Sequence, residues 1–307
     1  MEQLFSNQVL FGEEVLNNLH IFAGSWLDVL MAWITALGNE MFFVLMIPLM
    51  YWCVNKRLAS LVGASFLVSA LANDVAKHIY ENPRPAADFL REGIREWNQK
   101  YIPQNSPGFP SGHTQNAVVF WGTLAWFAKR RIITIVSIVL IILIPYSRIY
   151  LGVHFLGDII GGFILGAILL AILIWLLPWL EKSYISFKEI TLLAIFLLLP
   201  LFLMMALPGH DIPKTTGVMS GYLIGLILAH KRIPFDPRTG VVPAILKFAV
   251  GAAGIILIKA GIKVLLPEVA IAEFFRYWLM GFWITFAAPL IFIQFKILGG
   301  RSGIAVE

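Results

Sequence analysis

Apolar and polar positions along this chain fall into long blocks. Ten stretches, at about 21–37, 40–54, 57–81, 112–128, 131–147, 153–179, 188–207, 213–230, 243–265 and 271–297, are mostly apolar. Several approach or exceed the ~18–20 residues that cross a hydrocarbon layer as a helix. Backbone polar groups in lipid must be satisfied within the segment, so such blocks predict transmembrane helices. The expected fold is all-α, a polytopic transmembrane helical bundle.

Outside those blocks the pattern changes twice. Residues 3–20 carry Leu4, Phe5, Val9, Leu10, Val15, Leu16 and Leu19 among Asn, Gln and Glu. This predicts an amphipathic N-terminal segment over 1–20, lying at the membrane surface or packed on the bundle. Residues 86–109 form the long polar segment. Asp88 to Tyr101 reads as a short surface helix with Phe89, Ile94 and Trp97 as its apolar contacts, and Pro103 to Pro110 as an ordered loop. Two spans carry small-residue ridges, Gly157, Gly161, Gly162 and Gly166, then Gly217, Gly221 and Gly225, which predict close helix packing.

Composition agrees with a membrane assignment. The chain is 59% hydrophobic and 13% charged, against about 25% charged in a soluble domain. The net charge of +5 does not point to nucleic acid, because the basic residues fall largely in inter-helix loops. Lone Cys53 excludes an intramolecular disulfide. Residues 1–20 hold no Lys or Arg, so no cleavable signal is expected.

Lys56-Arg57, Lys129-Arg130-Arg131, Lys182 with Lys188, Lys231-Arg232 with Arg238, and Lys296 with Arg301 fall on one side of the predicted bundle. Short loops rich in Lys and Arg stay cytoplasmic. Arg91, Arg95 and Lys100 lie on the other side, mixed with Asp88, Glu92 and Glu96, and weaken the bias without reversing it.

Three polar clusters then lie at the extracytoplasmic ends: Lys77-x6-Arg84-Pro85, Pro110-Ser111-Gly112-His113, and Ser147-Arg148-x5-His154-x3-Asp158. A lysine near a span end ordinarily snorkels to the interface. Arg84, followed by a rigid proline, offers a planar fork that matches phosphate oxygens. Asp74, one turn before Lys77, is a candidate partner for it. Ser111 reads as an N-cap, and the first turn of the next span exposes N–H groups that bind anions. His154 and Asp158 are four apart, so on a helix they share a face. Asp158 then fixes one imidazole nitrogen and leaves the other as a nucleophile. A lone His–Asp pair is ordinarily structural, but ionisable residues at membrane depth default to a functional reading. Lys259, Lys263, Glu268, Glu273 and Arg276 read as a structural charge network.

The three clusters resemble the complete signature of the type 2 phosphatidic-acid phosphatase superfamily, K-x6-R-P, P-S-G-H and S-R-x5-H-x3-D, with every position present from Lys77 to Asp158. The flanking residues, Asn73-Asp74 and Ile149-Tyr150-Leu151-Gly152-Val153, look like its sphingosine-1-phosphate phosphatase branch. The resemblance implies a six-span catalytic core over 21–180, with a four-span C-terminal extension over 181–307. It implies a metal-independent phosphatase with no cofactor. It makes His154 the nucleophile, Asp158 its orienting group and His113 the acid for the leaving alkoxide. Lys77, Arg84, Ser111, Gly112 and Arg148 would bind the phosphoryl oxygens. Soluble vanadium haloperoxidases share the signature, and the chain's hydrophobicity argues against that activity.

The expected partners are an amphiphilic lipid phosphate or diphosphate and the membrane lipids, with no nucleic acid. The expected location is the cell (inner) membrane, with the site on the extracytoplasmic side. Three other readings stay open: a phosphatase of a water-soluble ester, a lipid transporter or scramblase that only binds headgroups, and a lipid phosphotransferase with an acceptor other than water.

Overall fold

A computed structural model describes residues 5–21, 23–86, 88, 90, 106–183, 187–207, 209, 211–267, 269–295 and 297. The predicted helix over Asp88 to Tyr101 falls almost entirely outside them, as do Glu268, Lys296 and Arg301. Every described element is helical. In chain order they are α1 Gln8–Phe11, α2 Glu14–His20, α3 Ser25–Ala36, α4 Glu40–Cys53, α5 Lys56–Tyr80, α6 Gly112–Ala128 and α7 Arg131–Tyr150. There follow α8 Leu156–Ser183, α9 Glu189–Ala206, α10 Ile212–Arg232, α11 Val241–Leu265, α12 Ala270–Phe282 and α13 Ala288–Gln294, the last two joined by a π-helical turn, Trp283–Ala287.

All ten apolar stretches are helical, but the first two differ from the expectation. α3 and α4 have 12 and 14 residues, or roughly 18 and 21 Å at 1.5 Å per residue. Each is too short to cross a ~30 Å hydrocarbon core alone. Their axes bend by 51° at a short break. They form one broken span or a re-entrant pair, which corrects the count of ten separate crossings. Seven longer helices pass on length and hydropathy among the described residues. α6, at 17 residues, sits at the short end of the crossing range. Few residues of α9 are fully buried in the protein, as expected of a peripheral helix that turns much of its surface to acyl chains. The protein is an integral membrane protein.

The chain divides into two compact units, Met1–Phe43 with Ala72–Leu176, and Val44–Leu71 with Leu177–Glu307. In the first, α6 buries Ala117, Val118, Val119 and Phe120, and the Phe120 ring lies 4.8 Å from that of Phe43. Gly166 lets α8 approach Val118, where any Cβ would stand 3.0 Å from the Val118 Cβ. Leu16 of α2 is buried against Ile149 and Ile159, and the Phe11 ring fills the space a side chain at Gly157 would need. Between the two expectations for the N-terminal segment, the structure supports packing on the bundle.

In the second unit, Gly217 and Gly221 face the backbone carbonyls of Phe274 and Trp278. α10 and α12 therefore pack backbone to backbone, as the small-residue ridge predicted. The π-helical turn leaves carbonyls to side chains: Trp52 Nε1 donates to Ile284 O at 2.8 Å and Tyr51 Oη to Thr285 O at 3.2 Å. Lys247 is fully buried and donates to Trp52 O at 2.7 Å and Pro237 O at 2.9 Å. Of the predicted charge network, Arg276 pairs with Glu273 at 3.0 Å.

Candidate active site

All three sequence clusters lie in the first unit, and hydrogen bonds link them. Lys77 occupies the last turn of α5. Its Nζ donates to Pro107 O at 3.1 Å and lies 3.3 Å from Ser106 Oγ. Lys77 thus reaches the loop before the second cluster. Arg84, past the end of the same helix, donates from Nε to Ser106 O at 2.8 Å and from Nη1 to Val153 O at 3.3 Å. One guanidinium thus touches the stretch leading into the second cluster and the turn that carries the third.

The second cluster starts α6 as predicted. Ser111 is its N-cap, accepting from Thr114 N at 3.4 Å, which leaves the next N–H groups at a positive helix end. Asn73 holds this corner from α5, donating to Pro110 O at 3.2 Å and Gln115 Oε1 at 2.8 Å. The backbone N–H of Ser111 donates to Asp158 O at 2.9 Å. Two glycines make this approach possible. A Cβ on Gly112 would stand 2.8 Å from Asn73 Oδ1, and one on Gly162 would stand 2.7 Å from Ser111 O. A side chain at Gly162 would push α6 and α8 apart, and one at Gly112 would displace the Asn73 side chain from its hydrogen bonds.

The third cluster is carried by a helix end, a turn and a helix start. α7 ends with Gly152 at φ +72°, where Gly152 N donates to Ile149 O and Val153 N to Arg148 O. This pair is the Schellman pattern, and the left-handed residue favours glycine. The chain then turns through His154 into α8. Here the structure differs from the expectation of a shared helical face, because His154 lies in the turn before α8 begins. Asp158, in the first turn of α8, reaches back. Its Oδ2 lies 3.1 Å from His154 Nδ1 and accepts from Phe155 N at 3.0 Å. The second contact is half of a capping box. The carboxylate that faces the histidine therefore also closes the helix N-terminus, which fixes its rotamer.

The tautomer of His154 follows from its neighbours. Arg84 Nη1 lies 3.4 Å from His154 Nε2. A guanidinium can only donate, so Nε2 faces it with its lone pair and Nδ1 carries the proton toward Asp158. Burial, then Arg84, Arg148 and Lys77, then His113, hold the His154 pKa well below the ordinary histidine value. The imidazole is neutral, with Nε2 available. His113 belongs to the same electrostatic neighbourhood, as the last of these influences on His154.

Arg148 is buried at the end of α7 and donates from Nη1 to Thr35 Oγ1 at 2.8 Å. Its Nε has no hydrogen-bond partner among the described residues. Tyr150 Oη donates to Asp28 Oδ1 at 2.7 Å, and His20 Nε2 lies 2.9 Å from Tyr150 O. Thr35, Asn73, Gln115 and Ser106 support the three clusters, and sequence reasoning gave none of them a role. Hydropathy and spacing carry no mark for Thr35, which looks like any other small residue of an apolar helix.

Arg84 therefore lies beside Nε2 of the His154 ring and Asp158 beside Nδ1, with Arg148, Lys77 and His113 acting on the ring electrostatically. Comparison with known proteins bears on the family. Residues 57–182 match the PAP2 superfamily, and residues 213–301 match the transmembrane extension of PAP2 superfamily phosphatases. Phosphatidylglycerophosphatase B of Bacillus subtilis is 28% identical over 172 residues, covering 52% of this chain and 79% of that protein. Lipid phosphate phosphatase delta of Arabidopsis thaliana is 23% identical over 50% of this chain and 39% of its own length. Mouse sphingosine-1-phosphate phosphatase 2 is 25% identical over 52% of this chain and 43% of its own length. The matched region thus spans less than half of the plant and mouse relatives. The crystal structure of a transmembrane PAP2-type phosphatidylglycerolphosphate phosphatase from Bacillus subtilis aligns with a TM-score of 0.45 at 27% identity, over 56% of this chain and 85% of that one. Together the two family matches cover more than half of the chain, and on them and the complete motif set the chain belongs to the PAP2 superfamily of membrane phosphatases.

Proposed function

We propose that this protein hydrolyses a lipid phosphate monoester through a phosphohistidine on His154, without a metal ion, at the extracytoplasmic face of the cell membrane. The observation that carries the proposal is the setting of the His154 ring: Nδ1 at 3.1 Å from Asp158 Oδ2, and Nε2 at 3.4 Å from the Arg84 guanidinium. A phosphate drawn to Arg84 arrives beside the lone pair that must attack it.

The chemistry follows from those positions. Lys77, Arg84 and Arg148, with Ser111 and the Gly112 N–H at the α6 N-terminus, hold the phosphoryl oxygens. Phosphoryl transfer is mostly positioning and charge stabilisation, so fixed cations can do what a metal does elsewhere. His154 Nε2 attacks phosphorus, the N–P bond forms and the ester P–O bond breaks. The phosphate dianion favours protonated His113, which gives its proton to the departing alkoxide. Asp158 stabilises the charge that develops on the His154 ring. Water then attacks phosphorus, passing its proton to His113, and releases phosphate with His154 restored.

Three observations support the finer points. The clustering of Lys and Arg at the opposite loop ends supports an extracytoplasmic site. A site at the ends of membrane helices favours an amphiphilic substrate that enters from the bilayer. The named relatives act on lipid phosphates, and a phosphatidylglycerophosphate-type substrate is the first to test. Residues 21–180 form the catalytic core in this reading, with 181–307 as an extension.

The test is phosphate release by purified protein in detergent with EDTA present. Phosphatidylglycerophosphate, phosphatidate, sphingosine-1-phosphate and glucose-6-phosphate are offered in parallel. Release from at least one lipid, well above glucose-6-phosphate and abolished by His154→Ala, is the expected result. Release from none of the lipids contradicts the reading.

A further inference from the structure

The bend between α3 and α4 lies before the matched superfamily region, which begins at residue 57. It nevertheless touches two residues of the signature. Thr35, buried in the last turn of α3, accepts from Arg148 Nη1 at 2.8 Å. Gly38, within the bend, lies so close to His113 that a Cβ there would stand 3.2 Å from its ring carbon Cδ2 and 2.6 Å from Ile144 Cγ2. From the functional reading above, whose site it deepens, we infer that Thr35 is a positioning residue for the phosphate-binding fork of Arg148.

The argument is geometric. A guanidinium grips a phosphate bidentately along one edge, and a buried arginine that can rotate presents that edge only part of the time. With Nη1 donating to Thr35, the Nε side of the Arg148 fork is the part the protein leaves open. Its Nε is buried and unpartnered among the described residues. A buried donor without a partner is costly to leave so, and an oxyanion at that edge satisfies it. Thr35 thus settles which face of the fork meets the phosphate. It does so from a helix outside the matched core.

The test is a double-mutant cycle on kcat/KM with short-chain phosphatidate in detergent, joined to the rise in Tm produced by orthovanadate. Thr35→Val removes the hydroxyl at nearly constant shape and is expected to lower kcat/KM about tenfold and to cut the orthovanadate-induced shift. Thr35→Ser keeps the hydroxyl and is expected to stay within about twofold of the parent. In an Arg148→Lys background, Thr35→Val is expected to have almost no further effect, because the fork it positions is gone. A full additional loss in that background means a merely structural role and overturns the inference. So does a Thr35→Val protein with unchanged kcat/KM and vanadate shift. If Thr35→Val does not fold, the decision passes to Thr35→Ser and Thr35→Ala: equal values for the two contradict the inference. An unaltered protein that binds orthovanadate but releases no phosphate counts against the hydrolytic reading alone, and the vanadate shift still tests Thr35.

Discussion

The Nη1 of Arg84 lies 3.4 Å from Nε2 of His154, so the residue that closes the first sequence cluster faces the nucleophile candidate of the third. Seventy positions separate them in sequence. The contact fixes the proton on Nδ1, toward Asp158, and makes the Arg84 cation part of the nucleophile's environment. Replacing Arg84 with Gln should slow turnover ~100–1000-fold, as loss of one preorganised donor does elsewhere. Steady-state kinetics on a lipid phosphate with the purified variant check this.

The same contact gives a pH dependence. His154 is held neutral by burial and then by Arg84, Arg148 and Lys77, so its depressed pKa keeps Nε2 available as pH falls below the ordinary histidine range. Removing Arg84 takes away one cation and lets the pKa rise, so protonation silences the nucleophile at higher pH. The acid limb of the kcat/KM profile should move upward in Arg84→Gln relative to the parent. A limb that stays in place would mean the titrating group is elsewhere.

Asp158 has two tasks in the structure, facing His154 Nδ1 and closing the α8 N-terminus at Phe155 N. Asp158→Asn keeps the shape and replaces an acceptor oxygen by a donor or a weaker acceptor. Turnover should fall by roughly 10³–10⁴, the scale seen when a carboxylate that fixes a histidine tautomer is neutralised. The folded state should lose far less. Circular dichroism and thermal unfolding separate the two effects.

Gly162 has no chemistry of its own, but any Cβ there would stand 2.7 Å from Ser111 O. Gly162→Val should displace the α6 N-terminus and lower kcat/KM at least as much as Ser111→Ala. Lys247 offers the opposite case, in the second unit. Lys247→Met strands Trp52 O and Pro237 O, at about 1–3 kcal/mol for each buried group. It should lower the Tm and leave kcat unchanged.

Much of this site was legible in the sequence because charge in an apolar chain is conspicuous. Lys77, Arg84, His113, Arg148, His154 and Asp158 stand out in a chain only 13% charged, and their spacing matches a known signature. The helices were legible for the same reason, since lipid leaves the backbone few alternatives. The bend between α3 and α4 was not, because hydropathy reports apolarity and not direction. Nor was the position of His154 in a turn, since a spacing of four fits both a helix face and a capping contact. The residues that brace the site, Thr35 and Asn73 above all, are ordinary in sequence and acquire their roles only through packing.

The central claim is that these groups form one anion site with His154 Nε2 as its attacking atom. An experimental structure of the protein with orthovanadate tests it most directly. The account predicts vanadium bonded to His154 Nε2, its oxygens held by Lys77, Arg84 and Arg148, with His113 on the far side where the leaving group departs. Vanadate bound away from His154, or imidazoles of His113 and His154 opening to different faces of the membrane, would contradict it.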